Sequence, residues 1–385
     1  MSSIMKEKKK KSRDAIIQEI IGSAVEIIDR KSFVKKIERK KTRVKFGIDP
    51  TAPDLHLGHI IPLRMLRKFQ DIGCIIVLII GDFTGIIGDP SDRSAARPMI
   101  TEKDVRRNMK KYTDQASRIL DIKKCEIRYN SEWFSKRRFS FFVDMFSRFT
   151  VQRVLERDDF QKRIRSGSDV SILEMLYPLF QGYDSVAVSS DIEIGGTDQK
   201  FNLLMGRKMQ RRFHVPEQDV ITLPLLVGTD GAKKMSKSFG NSINFSDTPD
   251  EIFGKVMSVS DDVLPVYYGL VDERPDKQAN PMESKKRLAF LLVEMLHDSG
   301  KAKKAQKNFE DTFQKGRPQN PTRIIASSLG DTARAMHMSQ SELRRLVKQG
   351  AVEFEGKKVD SVSFQYPADG VLRIGKKMFF QIKKK

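Results

Sequence analysis

Apolar positions recur at helical spacing over residues 14–29 (DAIIQEIIGSAVEIID), which predicts an amphipathic N-terminal helix. A short strand, Arg43 to Asp49, follows and ends in the turn Asp49-Pro50-Thr51. From His56 to Ile72 the period is helical again: Ile61, Met65, Phe69 and Ile72 share a face and Gly73 closes the segment. Ile75 to Ile80 is continuous and mostly β-branched, the pattern of a strand buried on both faces. Strand, helix and buried strand form a βαβ unit, hence an α/β fold with a parallel, Rossmann-like sheet and a nucleotide site at its carboxyl edge. Helical periodicity dominates 101–185, and Ile221 to Val227 reads as a further buried strand. Thr248-Pro249-Asp250-Glu251 is a capping box with Pro at the first helical position, and Leu288 to Leu296 and Ala302 to Phe313 continue that helical region. The linker signal is GRPQNP, residues 316–321. Beyond it Ser339 caps a short helix, Val352 to Val359 turns at Gly356, and two strands meet at Gly375-Lys376. Four divisions are expected: a basic arm and helix (1–42), a Rossmann-like domain with a helical insertion (43–245), a helical domain (246–320) and a small α+β module (321–385).

Charge sharpens this picture. Lys and Arg number 71 against 50 Asp and Glu, leaving +21. Such an excess favours a polyanionic partner, nucleic acid or an anionic membrane, with a solubilising surface as the alternative. Cys74 and Cys125 are the only cysteines, which excludes a disulfide framework and a Cys-rich metal site and suits a reducing cytosol. Lys6 to Lys11 is unbroken charge with no apolar stretch after it, so it predicts a disordered arm rather than a targeting signal. The longest apolar run, Ile75 to Ile80, is far too short to span a bilayer. A soluble, cytoplasmic protein is expected.

Two constellations carry chemistry. His56-Leu57-Gly58-His59 opens a helix directly after a strand, and its i, i+3 spacing sets both imidazoles on one side of the first turn. Free N–H groups there suit an anion, and Gly58 leaves room for a flat ring to approach the backbone. A chance pair or a metal pair is the alternative reading. The second constellation, Lys234-Met235-Ser236-Lys237-Ser238, lies between Gly231 and Gly240. Two lysines on a glycine-bounded loop can close over a triphosphate and hold charge as it develops.

HLGH and KMSKS resemble the two hallmarks of class I aminoacyl-tRNA synthetases. GIDPT (47–51), GDPS (88–91), YPLFQGYD (177–184) and GGTDQ (195–199) narrow the resemblance to tyrosyl-tRNA synthetases of the bacterial type. SQSELRRLVKQGAVEFEGKKV, residues 339–359, resembles an S4 RNA-binding domain. The resemblance implies that His56, His59 and Thr51 contact ATP phosphates and that Lys234 and Lys237 hold the pyrophosphate. Asp49, Gly58, Asp198, Met235 and Ser236 would complete the ATP site, with Asp198 on the ribose. Tyr177, Gln181 and Asp89 would bind the tyrosine ammonium, with Asp49 beside it. Asp184 would accept from the phenol, and Gln199 would lie near the carboxylate. Arg344, Arg345, Lys348, Lys357 and Lys358 would meet RNA. Expected partners are tRNA(Tyr), ATP with Mg²⁺ as co-substrate, L-tyrosine and a second copy of the chain, with no permanently bound cofactor and no membrane. The rivals are a tryptophanyl-tRNA synthetase, a small nucleotidyltransferase and a catalytically inactive RNA-binding relative. Lys45 departs from the better-known branch, which has a phenol-binding tyrosine there; a second bacterial branch shares such changes.

Overall fold

The protein is seen as a computed structural model that describes residues 11–39, 41–50, 54–88, 101–276, 278–314, 321–375 and 378–385. Residues 1–10 of the expected basic arm, Thr51, Asp89 and most of the expected linker lie outside the described residues. Among the described residues the central sheet has six strands: β1 (Glu26–Ile28), β2 (Arg43–Ile48), β3 (Ile75–Ile80), β4 (Cys125–Tyr129), β5 (Ile192–Gly196) and β6 (Asp219–Leu223). Their spatial order is β1-β6-β5-β2-β3-β4. All neighbours run parallel except β1, which lies antiparallel on β6. From β2 the chain winds outward through β3 to β4, then returns to lay β5 and β6 on the other side of β2. The winding therefore reverses between β2 and β5.

β3 shows why its sequence has no polar position. Ile76 and Leu78 point into one core with the helix Ile60–Asp71, while Val77 and Ile79 point into a second with Leu179, Phe180 and Tyr183 of the helix Ile172–Ala187. Ser171 and Glu174 start that second helix with a reciprocal capping box.

Three expectations need correction. The N-terminal helix spans Arg13–Ser23 only, because the β-branched stretch after Ala24 pairs with β6 as β1. Division at 42 therefore cuts through the sheet, and Ile20, Phe33 and Ile37 lie in its core. β4 interrupts the helical stretch 101–185; its residues are half-buried without alternation, which hides the strand pattern. β6 stops at Leu223 rather than Val227, since Pro224 has no N–H for the ladder and the chain turns away.

The helices Pro249–Met257, Pro281–Leu296 and Ser299–Phe309 share the core of the sheet rather than building their own. Residues 321–385 do have a separate core, formed by Leu343, Val347, Leu372, Ile374 and Ile382 among others. It fills a five-stranded sheet ordered β7-β11-β10-β8-β9, with β7 Thr322–Ala326, β8 Val352–Phe354, β9 Lys357–Lys358, β10 Gly370–Ile374 and β11 Met378–Lys384. Among the described residues no helix is long and apolar enough to cross a membrane.

Candidate active site

β2 and β5 pair only at Val44↔Ile192 and Lys45↔Glu193. Beyond those residues no ladder joins them, and their carboxyl ends border a cleft of about 310 Å³. The cleft thus sits where the winding of the sheet reverses, the usual ligand position in such folds.

His56 stands at the entrance as the N-cap of the turn Leu57–His59. Its Nδ1 accepts the Gly58 N–H at 3.2 Å, and His59 Nδ1 accepts the His56 N–H at 3.2 Å. A backbone donor facing Nδ1 leaves the His56 ring proton on Nε2. Burial pushes His56 down to about 2, helped by His59 and by the cations Lys237 and Lys234, so the ring donates as a neutral imidazole. Gly58 is needed for this cap: a Cβ there would lie 2.9 Å from His56 Cε1.

The lysine loop crosses the same entrance. Asn241 orders it, accepting the Ser236 N–H at 2.8 Å and donating to the Lys234 carbonyl at 3.1 Å. Gly240 ends the turn Lys237–Phe239 in the left-handed region, φ 65°, which a side chain would strain. Lys234 Nζ lies 2.8 Å from Asp198 and Lys237 Nζ 3.7 Å from Asp54. Burial pulls the Lys237 ammonium below its ordinary value, with Asp54 opposing.

Deeper in, Asp49 at the end of β2 accepts the Tyr177 hydroxyl at 2.8 Å and the Thr84 hydroxyl at 2.8 Å. Gln181 and Asp184 follow Tyr177 along one face of the helix Ile172–Ala187 and reach the same cleft. Asp184 accepts the Trp133 indole N–H at 3.0 Å. Burial raises its carboxyl to about 7; Lys45, Trp133 and Asn130 counter this, and Glu193 adds to it. Asp198 and Gln199 occupy the short turn after β5, and Gln199 Oε1 accepts from Asn202 at 3.0 Å.

The fold brings together Asp49, both histidines, Tyr177, Gln181, Asp184, Asp198 and Gln199 with Gly58, Lys234, Met235 and Ser236. Lys237 stands at the rim beside Asp54. Thr84, Tyr112 and Glu193 also line the cleft and escaped sequence reasoning. Thr84 was within reach of the carboxyl-edge rule, since it follows β3 by four residues; Glu193 requires the β2–β5 register. Lys45 does not substitute for a phenol-binding tyrosine. It is fully buried and spends its three donors on Glu193 at 2.8 Å, Ser185 Oγ at 2.8 Å and the Gln181 carbonyl at 3.0 Å.

A family model described as "tRNA synthetases class I (W and Y)" matches residues 37–314. The tyrosine–tRNA ligase of Thermotoga maritima is 44% identical over 383 residues, covering 94% of this chain and 95% of its own. Tyrosine–tRNA ligase 2 of Vibrio cholerae is 43% identical, covering 96% and 99%. The chain belongs to the tyrosine–tRNA ligases. Tyrosyl-tRNA synthetase from Archaeoglobus fulgidus, solved with L-tyrosine, superposes with a TM-score of 0.62 at 20% identity over 77% of this chain and all of its own, a likeness of fold. As a tyrosine–tRNA ligase the chain is an enzyme of the aminoacyl-tRNA ligase class. The family model stops short of residues 321–385. There, Arg344, Arg345 and Lys348 lie exposed on the helix Gln340–Lys348, opposite buried Leu343 and Val347. Lys357 and Lys358 form the exposed edge strand β9, and a Cβ on Gly350 would sit 3.7 Å from Lys358 Nζ, which places that ammonium beside the helix's end.

Proposed function

We propose that the cleft activates L-tyrosine with ATP to tyrosyl-adenylate, from which tyrosine passes to the 3′ end of tRNA(Tyr). The observation that carries this reading is the meeting of three groups at one switch point: a histidine pair in which His56 is held neutral, a lysine loop, and a polar floor of Asp49, Tyr177, Gln181 and Asp184. The substrate carboxylate attacks the α-phosphorus, so no side-chain nucleophile is required; catalysis comes from positioning and from donors aimed at the developing charge. His56 supplies a neutral N–H group to the phosphates, and His59 and Thr51 are further phosphate contacts. Lys234 and Lys237, which rest on Asp198 and Asp54, transfer to the pyrophosphate as it forms, freeing Asp198 for the ribose. Gly58, Met235 and Ser236 frame the nucleotide.

Gln181, Tyr177 and Asp89 receive the ammonium with Asp49, Gln199 lies toward the carboxylate, and Asp184 accepts from the phenol. A buried acceptor left unpaired is costly, which disfavours phenylalanine; hydroxyl discrimination by a tyrosyl-tRNA synthetase is the standard illustration of that effect. Mg²⁺ accompanies ATP, with phosphate oxygens as its chief ligands. No group of three or more His, Cys, Asp or Glu among the described residues could supply a protein cage for it.

The basic face of residues 321–385 is read as an S4-like surface for tRNA phosphates. Two copies of the chain are taken to join through Phe139, Val143, Ile164, Ile172 and Leu173, large apolar side chains left exposed near one another in sequence. A cytoplasmic enzyme accords with this reading. The test is ATP–pyrophosphate exchange with each of the twenty amino acids. Exchange with tyrosine alone is expected; exchange with tryptophan, or none, would overturn the reading.

A further inference from the structure

Lys45 and Glu193 are cross-strand neighbours on β2 and β5, the last pair before the strands part. Their side chains are 0% and 1% exposed. Glu193 Oε1 lies 2.8 Å from Lys45 Nζ and accepts from Gln181 Nε2 at 3.4 Å. Its Oε2 accepts from Ser185 Oγ at 3.1 Å and from Gln218 Nε2. All four partners are donors, the set an acceptor-only carboxylate takes. Helix and sheet come close enough for this because residue 206 is glycine: a Cβ there would lie 2.4 Å from Gln218 Nε2 and 3.0 Å from Glu193 Oε2.

Burying two charges at a substrate site is expensive, and a well-packed apolar pair would serve stability as well. What the pair does beyond packing is visible at Gln181. Lys45 takes the backbone carbonyl of Gln181 while Glu193 takes its side-chain nitrogen. A carboxylate cannot donate, so the Gln181 amide is barred from rotating its oxygen inward. We infer that Glu193, paired with Lys45, is a positioning residue that turns the Gln181 side-chain oxygen into the cleft as an acceptor for the substrate ammonium. This rests on the placement of tyrosine proposed above.

Substrate fragments separate positioning from general damage. Tyramine keeps the ammonium and lacks the carboxylate; 3-(4-hydroxyphenyl)propionate lacks the ammonium. In Glu193→Gln the new amide can donate, so the Gln181 oxygen can turn inward. The KM for tyrosine and the inhibition constant of tyramine should then rise about 10- to 100-fold. The KM for ATP should stay unchanged, and the inhibition constant of the propionate, which shares with tyramine only the phenol contact to Asp184, should move far less than that of tyramine. The double variant Lys45→Met/Glu193→Gln leaves no buried ammonium without its counter-charge, and it should show the same pattern in a folded protein. Equal losses for tyramine and the propionate in the double variant, or unchanged tyrosine affinity in both variants, would overturn the inference. Gln181→Ala in the same assays isolates the other failure: if tyramine binds it as it binds the parent, the ammonium is not at Gln181 and the inference falls with that placement. Tyrosine-dependent exchange by the unaltered enzyme tests the reaction itself.

Discussion

Asp184 has its carboxyl raised to about 7 by burial, while an unfolded chain would ionise it near 3.8. The folded state therefore holds this proton more tightly, and the stability it contributes is complete below about pH 4 and lost as pH climbs through 7. Relative to Asp184→Asn, the enzyme should lose stability over that window and run level above it, as denaturant melts at a series of pH values would record. The ionised form is also the stronger acceptor for a phenol. The kcat/KM for tyrosine should rise through pH 7 and Asp184→Asn should flatten that limb; a profile indifferent to the substitution would remove Asp184 from the phenol. At the rim, Lys237 acts where charge appears during the reaction. Lys237→Ala should cut the rate of adenylate formation roughly 100-fold with little change in tyrosine affinity. Single-turnover kinetics with a tyrosine titration separate the two, and a large loss of affinity at an unchanged rate would contradict the assignment.

At the scale of elements, the clearest constraint is the close passage of the helix Lys200–Arg212 over the floor of the site. Gly206→Ala would press on Ser185, Gln218 and Glu193 together. A loss of about 1–3 kcal/mol is expected, read as a lowered unfolding midpoint. An unchanged midpoint would mean that the helix shifts freely. Elements with an uninterrupted signal were legible in sequence: β3 for its unbroken apolar run, the helix Ile60–Asp71 for its period and Pro249–Met257 for its cap. β1 was not, because three residues attached to a helical pattern carry no period of their own. β4 was hidden by its partial exposure. The histidine and lysine motifs announce the site because their residues are contiguous. Glu193 is invisible without the register that sets it against Lys45, although both residues stand in plain view in the sequence.

On the scale of the whole molecule, the division of the hydrophobic residues between the two sheets decides what can be separated. Residues 246–314 complete the core beneath the sheet, whereas 321–385 enclose their own. Removing residues 322–385 should leave tyrosine-dependent pyrophosphate exchange nearly intact while tRNA charging collapses. With the full chain, tRNA affinity should fall steeply with salt as phosphate counterions are released. Equal losses in both reactions by a folded truncated enzyme would make the basic unit a support for the catalytic core, and undiminished charging would remove it from tRNA binding. The pairing of β1 with β6 has a different consequence during synthesis. β1 leaves the ribosome first, yet its partner β6 lies about 190 residues later, as the contact of Asp29 with Asp219 spans. At ordinary translation speeds that separation is roughly 10–40 s. Through that interval the chain can join β2, β3 and β4 in the order they emerge, while the β-branched residues of β1 have no strand to pair with. β1 is thus made before the other strands of its sheet and is among the last of them to be sheltered, so it stays open to chaperones and proteases through that interval.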